Sequence, residues 1–182
     1  MTDDARWQEL VGAVAGQLPE FVENFLGRIL LDPAYGESGL TLDDLRRSSQ
    51  SSFSAMLAAL GGGSSDMEVL GSIAADLGAR RARQGVPLES LVRAIRLDFS
   101  VLWDALSAPA FGADPTLLVE KAELVWATVD LFASCVQERY VAELEEIQRA
   151  DADLQHQYLT QLLAPGEPSA ADLTRIAGAL RV

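Results

Sequence analysis

Cysteine, histidine, lysine and asparagine occur once each in this chain of 182 residues, and each scarcity closes off a class of protein. A single thiol, Cys135, forbids an internal disulfide and fits a reducing compartment, which points to the cytoplasm. A single imidazole, His156, leaves only scattered carboxylates to assemble a metal site, so none is expected. Lys121 is the one ammonium; the other thirteen cations are arginines, set against 27 acids for a net charge of −13. Affinity for nucleic acid rests on clustered cations facing phosphates, so the chain is expected to bind none. No apolar run approaches the roughly 20 residues that cross a bilayer, and MTDDARWQEL lacks the basic and apolar regions of a signal peptide. A phosphate loop, a nucleophile elbow, HExxH and CxxC are all missing, which leaves no visible catalytic set. Alternating runs of Val, Thr and Tyr are missing too, and that absence reads as an all-α fold.

What is present is a series of apolar stripes at helical spacing. Trp7, Leu10, Val11, Val14 and Leu18 share one face, and a second helix begins at Pro19 with Phe21, Val22, Phe25 and Ile29. DPAYGESG, residues 32–39, reads as a loop. Thr41 caps a third helix that carries Phe53, Met56 and Leu60, and GGGSS at 61–65 separates it from a fourth. Gly85 stops the fourth helix and Pro87 starts a fifth, so the two form an antiparallel hairpin. SAPAFGAD, residues 107–114, breaks the pattern; Asp114-Pro115 then opens a sixth helix with no Gly or Pro before Pro165. That helix carries two apolar stripes. Leu118, Val125, Val129, Phe132 and Val136 suit the domain core, whereas Leu117, Leu124, Leu131 and Cys135 call for a second partner, for which a second subunit is the economical choice. From Tyr140 through Leu144, Ile147, Asp151, Leu154 and Tyr158 the spacing becomes 4-3-4-3-4, a coiled-coil seam flanked by polar residues such as Glu143 and Glu146. A homodimer built on Leu117, Leu124, Leu131, Cys135, Tyr140, Leu144 and Ile147 is therefore expected. APGEPS at 164–169 ends the seam, and a last helix, Asp172 to Leu180, reads as the start of a following region.

The chemistry concentrates in one place. Arg80, Arg81, Arg83, Arg93 and Arg96 crowd 17 residues of an acidic chain, and Arg80 and Arg81 continue the apolar face of Leu77. On the next helix Asp98 falls between Leu91 and Leu102, on the inward side, with Arg96 at its edge and Trp103 beyond. Inward charges are costly unless paired. Two readings stand: an intramolecular ion-pair set that fixes the hairpin, or a site for an anion or partner. No cofactor is expected; haem in particular would need an axial ligand, and His156 lies far along the coil while Cys135 sits on the second stripe.

LGARRARQGVPLESLVRAIRLDFSVLWDAL, residues 77–106, resembles the N-terminal domains of actinobacterial PucR-type helix-turn-helix regulators, through Arg80, Arg81, Arg83, the turn Gln84-Gly85-Val86-Pro87-Leu88, Ala94, Arg96 and Trp103. Gln137-Glu138-Arg139-Tyr140 and Leu162-Leu163-Ala164 resemble the same group. Those domains are in turn similar to the N-terminal domains of RsbR-type stress regulators, globin-like but without haem. The resemblance implies a globin-like sensory and dimerisation domain over residues 1–136, a coiled-coil signalling helix over 137–163, and from 164–182 the beginning of a further region. Its DNA-binding part would lie outside this chain. It implies a signal-input module responding to an unknown small ligand or regulatory protein; the rival is a stress-complex interaction scaffold that senses no small molecule. A polar internal pocket near the arginines would favour sensing, and a fully packed interior the scaffold.

Overall fold

The structure is a computed structural model that describes residues 2–37, 40–62, 64–113 and 115–163. Among these residues there are eight helices and no strand: α1 (Asp3–Ala15), α2 (Leu18–Ile29), α3 (Pro33–Glu37), α4 (Leu42–Gly61), α5 (Ser64–Arg83), α6 (Leu88–Ala113), α7 (Pro115–Glu120) and α8 (Ala122–Leu163). The break at 164–169 and the last helix expected at Asp172 to Leu180 lie outside the described residues. The all-α class is as the apolar stripes predict, and the globin-like domain with a long C-terminal helix is as the family resemblance implies.

The helix ends follow local chemistry. Thr41 Oγ1 accepts the Asp44 amide at 3.1 Å, and Asp43 and Asp44 place negative charge at the positive end of α4. Gly85, at φ +70°, makes the left-handed turn between α5 and α6 that a side chain would resist. The core is sealed at one end by α1, whose Trp7 indole donates to the Leu60 carbonyl at 2.6 Å, and at its centre by Phe53, met edge-on by Phe21 and Phe25 at 5.0 and 5.6 Å.

Three expectations are corrected. Residues 33–37 are helical rather than loop. Asp32 Oδ1 accepts the Ala34 amide at 3.0 Å, Pro33 fills the first turn, and the short helix drives Tyr35 into the core. The fifth helix continues through Pro109 to Ala113; Leu106 and Ser107 are buried, and packing of that turn outweighs one missing backbone hydrogen bond. The long sixth helix is two, with a turn at Lys121 between α7 and α8.

α5 and α8 lie in close contact along their length. Gly78 makes this possible: a Cβ there would stand 2.2 Å from the Val136 carbonyl oxygen, a backbone atom that cannot swing aside. The same face of α5 brings Gly71 beside the Cys135 sulfur, where a Cβ would make an ordinary 3.7 Å contact.

Candidate functional site

Arg81, in the last turn of α5, is buried with 3% exposure and points at the first turns of α4. One guanidinium nitrogen donates to Asp44 Oδ2 at 3.1 Å and Gln84 Oε1 at 2.7 Å, the other to Ser48 Oγ at 2.7 Å. Gln84 Nε2 also donates to Asp44 Oδ2, at 3.2 Å, and the Ser48 hydroxyl donates to the Asp44 carbonyl at 2.8 Å. Partial burial pushes the Asp44 carboxyl up, but the hydrogen bonds from Arg81 and Gln84 outweigh it and hold the group below its ordinary range. The buried arginine therefore has its countercharge in Asp44, 37 residues earlier.

Asp98 is a different case. Arg81 and Asp98 line one cavity of about 30 Å3, together with Tyr35, Ser48, Ser49 and Ser52 and walls from Phe25, Leu77 and Ile95. Asp98 is 5% exposed, and no hydrogen bond or ion pair holds it among the described residues. Burial holds its carboxyl well above the ordinary value of 3.8, against a weaker downward pull from the Arg81 charge. The hydroxyls of Ser49 and Ser52, also buried, have no partner among the described residues either. Burial likewise pushes the Tyr35 phenol up. The site thus sets one fixed ion pair beside three polar groups whose hydrogen-bonding capacity is open to the cavity.

The other residues singled out in the sequence lie elsewhere. Arg80 turns back on its own helix, Nε donating to the Asp76 carbonyl at 3.4 Å. Arg96 is exposed and borders an outer groove of about 180 Å3 between α6 and α8 with Phe99, Trp126 and Asp130; Trp103 stacks on Phe99 at a centroid distance of 6.1 Å. Of the five residues grouped by sequence, only Arg81 and Asp98 share the cavity.

The expected dimer residues divide similarly. Leu117 and Tyr140 are buried in the chain's own core, the Tyr140 hydroxyl donating to the Val86 carbonyl at 2.8 Å. Leu124, Leu131 and Cys135 are half-buried, packed against that core, and Cys135 faces α5 at Gly71. Much of the second stripe of α8 is therefore covered within the chain. Leu144 is exposed and Ile147 half-exposed. Glu143, expected to be solvated, is buried at 5% and held by Arg83 and Arg139, each at 2.6 Å.

Sequence reasoning missed Tyr35, Ser48, Ser49, Ser52 and Asp44 as site residues. The Asp32-Pro33 pair carried the same cap-plus-proline signal that was read at Asp114-Pro115, and it could have placed Tyr35 on a helix. The serines of α4 fall at 48, 49 and 52, a helical spacing that marks one polar strip on an otherwise apolar face.

The chain is a globin-like all-α bundle whose core keeps Arg81, Asp98 and a strip of serines around a small cavity. The family described as RsbT co-antagonist protein rsbRD N-terminal domain matches residues 8–155, and the chain belongs to that family. No curated protein and no solved structure matches the chain.

Proposed function

We propose that this chain is a non-catalytic signal-input and dimerisation module of a larger regulator, in the manner of the PucR-type transcription regulators whose hallmark residues 77–106 resemble. The observation that carries the reading is the internal cavity. A domain serving only as a scaffold has no use for Ser49, Ser52, Arg81 and Asp98 around a core cavity that apolar side chains would otherwise fill. Occupancy of the cavity would bear on Arg81 and so on α5, which lies against α8; α8 would pass the change to a partner subunit and on to whatever follows. Family membership supports a regulatory role without naming the input.

The test is to fill the cavity permanently. Asp98→Leu should alter hydrogen exchange along α8 between residues 141 and 163, far from the substitution. Unchanged exchange there, in a folded variant, would remove the input reading. One observation favours an assembly role instead: Trp126 is 64% exposed, edge-on to Phe99 at 5.5 Å, over the outer groove. If Trp126→Asp abolishes assembly with a partner protein while cavity variants behave as wild type, the scaffold reading takes over.

A further inference from the structure

Outside the core, the groove between α6 and α8 combines aromatic surface with charges that the fold itself does not use. It encloses about 180 Å3. Ile95, Val129 and Ala133 give it apolar walls, and Phe99 and Trp126 meet edge-on at 5.5 Å. Trp126 nonetheless stays 64% exposed. An apolar hollow with a polar rim marks a site for something outside the fold. The rim carries Arg96 on α6 and Asp130 on α8, both exposed. Every other described arginine has a carboxylate or carbonyl partner. Arg96 has none among the described residues, and neither has Asp130. The two border one hollow, yet no ion pair joins them.

Size and charge together restrict the occupant. An apolar cavity of about 150 Å3 takes one benzene ring, so this groove has room for a single aromatic ring against Phe99 and Trp126. A ring carrying only an anion would satisfy Arg96 and be repelled by Asp130; a ring carrying only a cation would reverse the fault. A carboxylate and an ammonium on one carbon meet both charges, and the carboxylate suits the planar fork of an arginine. We infer that the groove between α6 and α8 is a binding site for a one-ring aromatic α-amino acid, its ring against Phe99 and Trp126, its carboxylate on Arg96 and its ammonium on Asp130. The groove is distinct from the internal cavity, and binding there holds whether or not the cavity is an input.

L-Phenylalanine is the probe, titrated into the intact chain and followed by backbone amide and indole N–H NMR shifts. A ligand of about twelve non-hydrogen atoms in a half-open groove should bind in the low millimolar range, with saturable shifts at Arg96, Phe99, Trp126 and Ala133. Hydrocinnamate, which lacks the ammonium, and phenethylamine, which lacks the carboxylate, should each bind about three- to fivefold more weakly. Alanine, which lacks the ring, should not bind measurably. Arg96→Gln should lower phenylalanine to the level of phenethylamine without weakening phenethylamine itself, and Asp130→Asn should lower it to the level of hydrocinnamate. Both side chains are exposed and unpaired, so melting curves should stay unchanged. Trp126→Ala should weaken binding by more than about tenfold. Non-saturating shifts, equal or tighter binding of either singly charged analogue, or an affinity indifferent to Arg96→Gln would each overturn the assignment. Equal or tighter binding of N-acetylphenylalaninamide, which has the ring and neither charge, would give the groove to an aromatic residue of a peptide partner instead. Trp126 indole shifts that depend on protein concentration alone would give it to a second copy of the chain.

Discussion

At the scale of single residues, Arg81 and Asp98, both buried and ionisable, have opposite fates, and each makes a measurable claim. Arg81 has three side-chain acceptors, so Arg81→Met should cost about 2 kcal/mol in chemical denaturation. The figure stays below that for a fully buried pair because Asp44 is 26% exposed and recovers some hydration when its partner leaves. Asp98 works against the fold as pH rises. The folded state keeps its proton above 3.8 while the unfolded chain loses it, so the folded form binds more protons and stability falls from about pH 4 upward until the raised pKa is passed. Asp98→Asn removes that titration. Between pH 3 and 7 the variant should therefore gain stability relative to wild type, and parallel pH profiles would mean that Asp98 is ionised in the native state. The pairing of Arg81 shows where sequence reasoning stops. Its inward direction was legible from its place after Leu77, but the choice between Asp44 and Asp98 depends on how α4 packs against α5, and no local pattern encodes that.

Among elements, the spacing of apolar residues was sufficient for the main helices and their caps at Thr41 and Gly85, and insufficient wherever packing overrode a local signal. The continuation of α6 through Pro109 and the helical turn around Tyr35 are of that kind. Gly78 is a third example. In sequence it is a helix-weakening residue before an arginine run; in the fold it is the point where two backbones touch. Gly78→Ala would gain helix propensity if α5 were isolated. Here the added carbon meets the Val136 carbonyl, so the substitution should instead destabilise the domain by about 1–3 kcal/mol, as a lowered melting temperature would reveal. A melting temperature at or above wild type would show that the helices stand farther apart.

For the whole molecule, α8 changes character along its length. Up to Glu143 its inner face is buried against the domain, and beyond that point Leu144, Leu154 and Leu159 are exposed at 37–49%. Leu144, Ile147 and Leu154 fall on the 4-3 seam, and among the described residues they are left exposed or half-exposed. The homodimer expected from the sequence would then rest on this distal half rather than on Leu117 and Tyr140, which the core already uses. Leu144→Glu with Leu154→Glu should turn a dimer into a monomer by light scattering, with the melting of the globular part little changed. A wild-type chain that is monomeric at micromolar concentration would remove the seam as an interface.

The contact at Gly78 carries one further mechanical consequence. Where the backbones of α5 and α8 touch, there is no compressible side chain between them, so the contact behaves as a fulcrum. From Val136 to Leu163 the helix extends for about 40 Å at 1.5 Å per residue. A rocking of only about 3° at the fulcrum would displace the tip by about 2 Å, comparable to the helix shifts that separate the two states of known switches. The domain therefore needs no large rearrangement around its cavity to move its far end, because the length of α8 supplies the gain.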